Sequence, residues 1–295
     1  MSDAPNSLHE AAFAHAPVAL LVADGETGHI VLANDLAARM LGYTRAELLE
    51  LVAEDLIPAA SRYRHIAHRK AFDEAPSHRS MGAGANLEVR RAGGSPLAVD
   101  IAVSPVGNGL VCVAMSDATE NRREGDRLYR LANEDPLTGL DNRRGLETKL
   151  AARMSDARRD TDRIAIVMAD VDRFKEINDR AGHLVGDEML VAVANTMRAR
   201  VRDEDLVARV GGDEFMLCLT GADRDQAAQV AEDVRARIEQ LNFATPGGTP
   251  ISTSLSLGVA LRPEDGDDVF GVIAVADTRL YAAKAAGRNT VQAVS

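Results

Sequence analysis

The stretch Arg209-Val210-Gly211-Gly212-Asp213-Glu214-Phe215-Met216-Leu217 places two glycines and two acids between apolar runs. Paired glycines between β-type runs predict a tight two-residue hairpin turn, because the favoured turns need φ > 0, which glycine adopts without strain. Without side chains, Gly211 and Gly212 would also let a bulky ligand lie on the backbone. Asp213 and Glu214 then lie at the turn, where adjacent carboxylates repel unless a cation binds them. Taken alone, such a motif is more often a solvated acidic turn, so the rest of the chain must decide.

Length and charge limit the classes of protein that this chain can belong to. A chain of 295 residues predicts about two domains, each with its own core. A net charge of −11 argues against a general nucleic-acid or anionic-membrane surface. The start of the chain lacks a secretory signal, and the longest apolar runs are too short to span a bilayer. We therefore expect a soluble, cytoplasmic protein that neither binds nucleic acid nor inserts into a membrane, with Cys112 and Cys218 as core residues.

A second stretch predicts what lies beside the hairpin. Residues 164–170 form an unbroken apolar run that ends in Asp170, and such runs are typical of central strands. Ligands of α/β proteins bind at strand ends. If the strand stays extended, Asp170 and Asp172 point to the same face. Lys175 and Asn178 follow, a cation suited to phosphate and an amide that can both donate to and accept from a nucleobase edge.

Two predicted helices add further polar side chains. Asp187 lies near the start of a helix, where it would either cap the helix or accept hydrogen bonds from a guanine. Residues 277–289 predict an alanine-rich helix that ends at Gly287. Lys284 and Arg288, near that end, could reach phosphate oxygens, although each alone is an ordinary surface cation.

Residues 10–118 predict a domain of their own. Two strands, short helices and three further strands indicate an α+β domain with a five-stranded antiparallel sheet. The Asp24-Gly25…Gly28 turn, Asn34 at a helix start, Leu41-Gly42-Tyr43 and the closing Asp117-Ala118-Thr119 resemble a PAS sensor domain. The resemblance implies regulation, by ligand sensing or dimerisation, through a PAS ligand that the sequence does not identify.

Flavin and haem are the two cofactors to be considered for this domain. Neither cysteine lies in the Asn-Cys-Arg-Phe setting of the flavin photosensors that resemble PAS domains. His65 follows Ile57-Pro58 as in the proximal helix of haem-bearing PAS sensors, but the basic residue expected later is replaced by the sequence Met-Gly-Ala-Gly-Ala at 81–85. A single histidine is weak support for a metal site, so we favour a packing or exposed role for His65 over haem ligation.

Residues 119–134 predict a charged helical linker. Its alternatives are a solvated connecting helix and a short dimeric coiled coil that transmits a signal. Leu128 and Leu131 lie three residues apart, but too few heptads are present to identify a coiled coil. Gly125 would weaken the helix by about 1 kcal/mol.

The motifs of residues 135–295, in their order and spacing, resemble the GGDEF family of diguanylate cyclases from Asp135 to Asn289. The resemblance implies a ferredoxin-like palm domain related to nucleotide cyclases and polymerases. Its members join two GTP molecules into cyclic di-GMP and release pyrophosphate. Because the two GTP molecules must meet head to tail, the family works as a homodimer with one substrate per protomer. The geometry of the linker at 119–134 would then be a natural point at which the activity of the dimer is controlled.

The resemblance also implies roles for single residues. Two divalent ions per site, Mg²⁺ or Mn²⁺, would be bound by Asp170, the carbonyl of Val171, Asp213 and Glu214. Asp213 and Glu214 would be the catalytic acids, with Asp213 as proton acceptor for the ribose 3′-OH. GTP would contact Phe174, Lys175, Asn178, Asp187, Gly211, Gly212, Lys284 and Arg288. Within that set, Asn178 and Asp187 would recognise guanine, and the basic residues would hold the triphosphate.

Arg202 and Asp205 form an Arg-x-x-Asp pattern, which is common by chance and also fits a solvated charge cluster. Its distance from Gly211 is that of the family's product-inhibition site, so we expect cyclic di-GMP to bind there as an inhibitor. Two alternatives to an active cyclase stay open: a non-catalytic receptor for GTP or cyclic di-GMP that signals through partners, and an enzyme with an adenine-containing product, against which Asn178 and Asp187 argue.

Overall fold

The computed structural model describes residues 4–74, 77–81, 87–156, 163–245 and 247–294. The chain divides into two compact units, Met1–Arg127 and Leu128–Ser295. Each unit has its own buried apolar core. Among the described residues, no helix has both the length and the apolar composition that a bilayer crossing requires.

The first unit is built around an antiparallel sheet. Its strands are β1 Ala19–Asp24, β2 Ile30–Ala33, β3 Arg79–Met81, β4 Glu88–Arg90, β5 Pro96–Gly107 and β6 Leu110–Asp117. Its helices are α1 Ala4–Ala14, α2 Asp35–Leu41, α3 Arg45–Leu49 and α4 Arg62–Glu74, with 3₁₀ turns at Ala53–Leu56 and Ala59–Ser61. The strand order is β2-β1-β6-β5-β3, and β4 also pairs with β5. The predicted α+β domain with an antiparallel sheet is confirmed.

The sheet has six strands rather than the predicted five. The long strand β5 pairs along one edge with β4 and then with β3. The sequence Arg-Ser-Met of β3 has no apolar alternation, so the strand leaves no signal in the sequence. Asn34 starts α2 as predicted: its side-chain oxygen accepts hydrogen bonds from the backbone N–H groups of Ala37 and Leu20, at 2.9 Å and 3.0 Å.

The second unit begins within helix α5, Thr119–Asn133, because the boundary between the units falls inside this helix. Its other helices are α6 Arg143–Asp156, α7 Phe174–Ala181, α8 His183–Arg198, α9 Arg224–Glu239 and α10 Val269–Ala285. Its strands are β7 Asp141–Asn142, β8 Ile164–Val171, β9 Leu206–Arg209, β10 Glu214–Thr220, β11 Asn242–Ala244, β12 Pro250–Ser252, β13 Leu255–Arg262 and β14 Val291–Gln292. β11 and β12 form a separate hairpin, and the main sheet has the order β14-β13-β8-β10-β9-β7.

The four central strands of this sheet define the fold. β13, β8, β10 and β9 are antiparallel neighbours, and α8 and α9 complete the β-α-β-β-α-β order of a ferredoxin-like domain. Every residue of β8 is buried, because alternate side chains enter two different cores. Val167 and Ala169 pack in the core that contains residues of α8 and α9, whereas Ile166 and Met168 pack in the core that contains residues of α6 and α10. The predicted palm domain is confirmed.

Helix α10 lies directly on strand β13. A Cβ atom added to Gly258 would lie 2.1 Å from the carbonyl oxygen of Ala276 and 2.3 Å from the nitrogen of Leu280. The helix is also held by the half-buried carboxylate of Asp265, which accepts hydrogen bonds from both terminal nitrogens of Arg279 at 2.8 Å. These contacts hold the middle of α10 against β13 and the segment that follows β13.

Candidate active site

The end of β8 and the β9–β10 hairpin bring three predicted acids to one edge of the sheet. Asp170 is paired in register with Glu214, and the backbone N–H of Val171 donates to the carbonyl oxygen of Asp213 at 3.1 Å. Asp170 is buried, while Asp213 and Glu214 are half-buried. The sequence therefore correctly predicted that the end of β8 and the hairpin meet. β8 and β10 are antiparallel neighbours, so the end of β8 lies beside the start of β10.

The hairpin turn differs from the predicted two-residue turn. Phe215 pairs with Arg209, so five residues separate the last paired positions, and two N–H groups, of Val210 and Gly211, both donate to the carbonyl of Glu214. Gly211 is absent from the residues with positive φ, as is Gly212. The prediction that these glycines supply φ > 0 was wrong. A Cβ atom at Gly211 would instead meet the side chain of Glu214, 2.4 Å from its Oε2 and 3.2 Å from its Cβ, so a larger residue there would displace the Glu214 carboxylate.

An arginine that the sequence analysis did not assign holds this loop in place. The Nε and Nη2 atoms of Arg209 donate to the carbonyl oxygen of Gly212 at 3.1 Å and 2.6 Å. Its Nη1 atom donates to both carboxylate oxygens of Asp135, at 3.0 Å and 3.2 Å. Burial raises the pKa of Asp135, but hydrogen bonds from Thr138 and Arg209 outweigh burial, so that the pKa lies below its usual value. Asp135 therefore stays charged and anchors Arg209.

Lys284 meets the carboxylate at the end of β8. Its Nζ atom lies 2.7 Å from Asp170 Oδ2. Burial raises the pKa of Asp170; the contact with Lys284 opposes the rise, and the neighbouring Asp213 and Glu214 add to it, leaving the pKa above its usual value. A buried carboxylate among other acids is stabilised by any added positive charge. The site thus favours cations.

The oxygen atoms at this edge of the sheet suit a hard divalent cation, although the side chains that carry them are not arranged around a single point. Carboxylate and carbonyl oxygens are the ligands that Mg²⁺ and Mn²⁺ prefer, and Asp170, Val171, Asp213 and Glu214 supply them. Across the described ranges, no three acidic, His or Cys side chains are already close enough to hold a metal ion. Asp170 Oδ2 is paired with Lys284 instead, so a bound metal ion and Lys284 would share or compete for this carboxylate.

Asp172 has a different role from Asp170, because the chain leaves the extended conformation after Val171. Its carboxylate accepts hydrogen bonds from the hydroxyl groups of Ser254 at 2.7 Å and Ser256 at 2.6 Å, and from the backbone N–H of Asn289 at 3.0 Å. Asp172 is buried. Ser256 is paired in register with Asp170, so the carboxylate of Asp172 reaches the same side of the sheet as that of Asp170. There it joins the end of β8 to β13 and to the segment after α10.

The predicted guanine contacts lie on α7 and α8. The carbonyl oxygen of the Asn178 side chain is buried without a hydrogen-bond partner. It lies against α8 at Gly186, where an added Cβ atom would be 1.9 Å away. Asp187 is the exposed neighbour of Gly186 and lies inside α8, whose N-cap position is Gly182. Its interpretation as a helix cap is thus wrong, and its carboxylate is available to a ligand.

Replacing Gly186 by alanine should weaken nucleotide binding much more than folding. The new methyl group would displace the side chain of Asn178, which can rotate away, so we expect little loss of stability. GTP affinity should fall about tenfold, the loss typical of one well-placed polar contact. Titration calorimetry with a non-hydrolysable GTP analogue measures the effect, and Ala192→Gly, also on α8, controls for changes in the helix. Unchanged affinity would contradict the placement of Asn178 in the site.

The remaining predicted contacts surround this edge of the sheet. Phe174 is half-buried and Lys175 is exposed in the first turn of α7. Arg288 is exposed after α10, and its N–H donates to the carbonyl of Ala283 at 3.1 Å. That bond, with Gly287 at φ 111°, is the glycine-terminated helix end that the sequence predicted.

The predicted inhibitory pair lies before β9. Asp205 is buried, and its two carboxylate oxygens accept hydrogen bonds from the N–H groups of Arg202 at 3.0 Å and Thr220 at 2.9 Å. The side chain of Arg202 is exposed, with one guanidinium nitrogen 3.8 Å from Glu204. Asp205 thus has a structural role that the sequence did not indicate, whereas the exposed side chain of Arg202 is accessible to a ligand.

His65 lies on α4 against an acidic partner. Its Nδ1 atom is 3.1 Å from Glu54 Oε1, which also accepts a hydrogen bond from Arg69 Nε at 2.9 Å. Burial raises the pKa of Glu54, but the hydrogen bonds from Arg69 and His65 outweigh this effect, so that the pKa lies below its usual value. These contacts favour the packing role of His65. Of the segment 81–85 that was compared with haem sensors, residues 82–85 lie outside the described residues.

Comparison with known proteins identifies both units. The family model "Diguanylate cyclase, GGDEF domain" matches residues 132–290, and the PAS fold model matches residues 8–118. The chain is 40% identical to the diguanylate cyclase TpbB of Pseudomonas aeruginosa over 171 residues, which are 57% of this chain and 38% of TpbB. It is 39% identical over 183 residues to an uncharacterized signaling protein of Caulobacter vibrioides, covering 62% of this chain and 22% of the relative. The chain thus spans well under half the length of these curated relatives.

Solved structures agree with these matches. The coiled coil and GGDEF domain of DgcB from Caulobacter crescentus, solved in complex with c-di-GMP, is similar with a TM-score of 0.55 and 27% identity, covering 59% of this chain and 92% of that one. The GGDEF domain of TpbB gives a TM-score of 0.50 at 39% identity, covering 54% of this chain and 92% of that one. The chain belongs to the GGDEF diguanylate cyclase family, with a PAS domain preceding the GGDEF domain.

Proposed function

We propose that this protein is a diguanylate cyclase that condenses two GTP molecules into cyclic di-GMP and releases pyrophosphate. The observation that carries the proposal is the group of three acids, Asp170, Asp213 and Glu214, with Lys284 at the same edge of the sheet. This arrangement combines ligands for divalent cations with a cation for phosphate. Relatives named as diguanylate cyclases at about 40% identity support the same activity.

Guanine recognition follows from Asn178 and Asp187. A buried carbonyl without a partner costs free energy until a donor reaches it, and the Asn178 oxygen is in that state. The N1–H and N2–H₂ donors of guanine could be shared between this oxygen and the exposed carboxylate of Asp187. An adenine presents no such pair of donors on that edge, which favours GTP over ATP.

The reaction consists of two in-line displacements, in each of which the ribose 3′-OH of one GTP attacks the α-phosphorus of the other, so that one pyrophosphate is released per phosphodiester bond. The O3′–P bond forms, the bond to the bridging oxygen breaks, and pyrophosphate takes the electron pair. Asp213, with Glu214 beside it, accepts the proton of the 3′-OH, while Lys175, Lys284 and Arg288 orient the triphosphate. Two Mg²⁺ or Mn²⁺ ions, held by Asp170, the Val171 carbonyl, Asp213 and Glu214, would supply charge stabilisation to the attacking and leaving oxygens. Positioning and charge account for most of such catalysis.

The domains act together in this proposal. Residues 10–118 form the sensor, residues 119–134 the linker, and residues 135–295 the catalytic domain. Each catalytic domain binds one GTP, so the product forms between two protomers of a homodimer. A PAS ligand would then regulate the enzyme by changing how the two catalytic domains face one another.

The direct test is mass spectrometry of the nucleotides formed when the purified full chain is incubated with GTP and Mg²⁺. Cyclic di-GMP, lost on addition of a chelator and restored by excess Mg²⁺, would support the proposal. The alternative is a receptor that binds GTP or cyclic di-GMP without turnover. One relative, 36% identical over 180 residues, is named cyclic di-GMP phosphodiesterase PdeR, so similarity to this family does not by itself establish synthesis. Nucleotide binding without product, also after removal of residues 1–118, would favour the receptor.

We expect the Arg202→Ala variant to lose inhibition by product while its initial rate stays close to that of the wild type. The side chain of Arg202 is exposed, and alanine keeps the backbone N–H that donates to Asp205, so the change should affect neither folding nor the first turnovers. The inhibition constant for added cyclic di-GMP should rise at least tenfold, about 1.4 kcal/mol. The variant Arg198→Ala removes an exposed arginine from the end of α8 and serves as the control. Unchanged inhibition in Arg202→Ala would eliminate the proposed inhibitory site.

A further inference from the structure

Three consecutive residues after α10 adopt backbone conformations that L-residues rarely occupy. Gly287, Arg288 and Asn289 have φ angles of 111°, 69° and 48°. Glycine adopts such angles freely, and asparagine more readily than most residues, but arginine has no compensation for the crowding of its Cβ atom. Strain of this kind persists where the surroundings impose it, and it is concentrated at functional sites. The neighbours of this segment therefore determine its conformation.

Asn289 is the residue that those neighbours hold. Its backbone N–H donates to Asp172 Oδ2 at 3.0 Å. Its side-chain oxygen accepts a hydrogen bond from Arg235 Nη1 at 2.7 Å, and its side-chain nitrogen donates to Glu239 Oε1 at 2.7 Å. The residue next to Arg288 is thus tied to β8 on one side and to α9 on the other.

The guanidinium group of Arg235 is held in place by two acids of its own helix in addition to its bond with Asn289. Its Nε and Nη2 atoms donate to the carboxylate of Glu232 at 2.7–3.0 Å, and its Nη1 atom also donates to Glu239 Oε2 at 2.9 Å. The guanidinium group is mostly buried, with 15% of the side chain exposed. A planar group with bonds along two edges has little freedom to move. α9 thus presents a fixed donor to the loop.

The tied segment ends beside the acids of the candidate active site. Asp172 lies two residues after Asp170, and Lys284, in the last turn of α10, contacts Asp170 at 2.7 Å. We infer that Arg235 and Asn289 are positioning residues, which hold Arg288 in its left-handed conformation so that its side chain faces the triphosphate of GTP. This inference rests on the proposed function of Arg288. Neither Arg235 nor Asn289 touches the substrate.

A purely structural role would also explain these hydrogen bonds, because they join α9 to the end of α10. The two roles differ in their dependence on Arg288. If Arg235 acts through Arg288, its removal matters only while Arg288 is present. If it only stabilises the domain, its removal has the same effect in both backgrounds.

The test is a double-mutant cycle on the full chain with Arg235→Met and Arg288→Met. The dissociation constant of a non-hydrolysable GTP analogue and kcat/KM for GTP are measured for all four proteins, and Tm is recorded for each. We expect Arg235→Met alone to raise the dissociation constant and lower kcat/KM by roughly tenfold, since small misplacements of a binding group have effects of this size or larger. In the Arg288→Met background the same change should have an effect below about twofold. Arg237→Met, an exposed position on the same helix, should match the wild type.

Each other outcome is informative. Equal effects of Arg235→Met in both backgrounds, or no effect in either, would overturn the positioning role. If the wild type binds the analogue but makes no cyclic di-GMP, the cyclase proposal fails, and the cycle of dissociation constants still decides whether Arg235 positions Arg288. If the wild type does not bind the analogue at all, both proposals fall.

Discussion

The Asp213→Asn variant is expected to lose at least 10³-fold in its rate of cyclic di-GMP formation, about 4 kcal/mol of transition-state stabilisation. Asparagine has nearly the size of aspartate but cannot accept the proton of the 3′-OH, and it is a weaker ligand for a hard cation. Both proposed functions of Asp213 are therefore lost together. Initial rates measured by chromatography with GTP and Mg²⁺ give the comparison.

The fold should tolerate this change. The backbone oxygen of Asp213 accepts the hydrogen bond from Val171 at 3.1 Å, and asparagine keeps that bond. Removing one of three neighbouring negative charges also reduces repulsion at this edge of the sheet. We expect Tm to change by only a few degrees, consistent with a stability effect below about 1 kcal/mol.

A matched control separates loss of chemistry from loss of charge. Asp277→Asn makes the same change at an exposed position of α10 and should leave the rate unchanged. Wild-type activity in Asp213→Asn would show that this carboxylate neither binds the metal nor accepts the proton. Loss of activity together with a collapse of Tm would instead indicate a structural role.

The Gly258→Ala variant should destabilise the second unit by about 3 kcal/mol, at the upper end for an overpacked core. The added Cβ atom would lie 2.1 Å and 2.3 Å from backbone atoms of α10. Backbone atoms inside a helix cannot move aside individually, so the whole helix must shift away from β13. The full chain is unfolded in urea and monitored by circular dichroism. The loss is measured as a shift of the unfolding transition that belongs to residues 128–295.

The site should respond to the same shift. α10 carries Lys284 in its last turn, so its displacement should also weaken GTP binding. Gly271→Ala is the control within this helix, because the nearest atom to its added Cβ is 3.6 Å away. That variant should gain roughly 0.5–1 kcal/mol, the preference of helices for alanine over glycine. Equal stability of Gly258→Ala and wild type would mean that α10 does not lie directly on β13.

The elements whose signals are local could be predicted from the sequence. The unbroken apolar run at 164–170 predicted the central strand, because a strand that is covered on both faces is apolar at every position. Gly287 predicted the end of α10, since glycine adopts the left-handed conformation at a helix end. The order and spacing of the motifs also placed Asp170 next to the hairpin acids. Each of these features depends on residues that are close in the chain or on neighbouring strands.

Other features were decided by contacts between distant residues. Arg209 and Asp135 are 74 positions apart and together hold the hairpin loop. Asp172 and Asn289 are 117 positions apart, and their bond gives a structural role to an acid beside the site. Gly211 was predicted to have a positive φ angle, which it lacks, and a Cβ atom there would instead meet the side chain of Glu214.

The physical reason for this division lies in what a local pattern contains. Periodicity and turn preferences specify how a segment folds and which of its faces is buried. They do not specify which partner a polar side chain meets, because hydrogen bonds and packing distances depend on where other segments lie. By itself, the sequence of this protein determined its two units, its strand ends and the acids gathered there. The tertiary structure alone decided which of those acids remain open to a ligand and which are used to hold the site together.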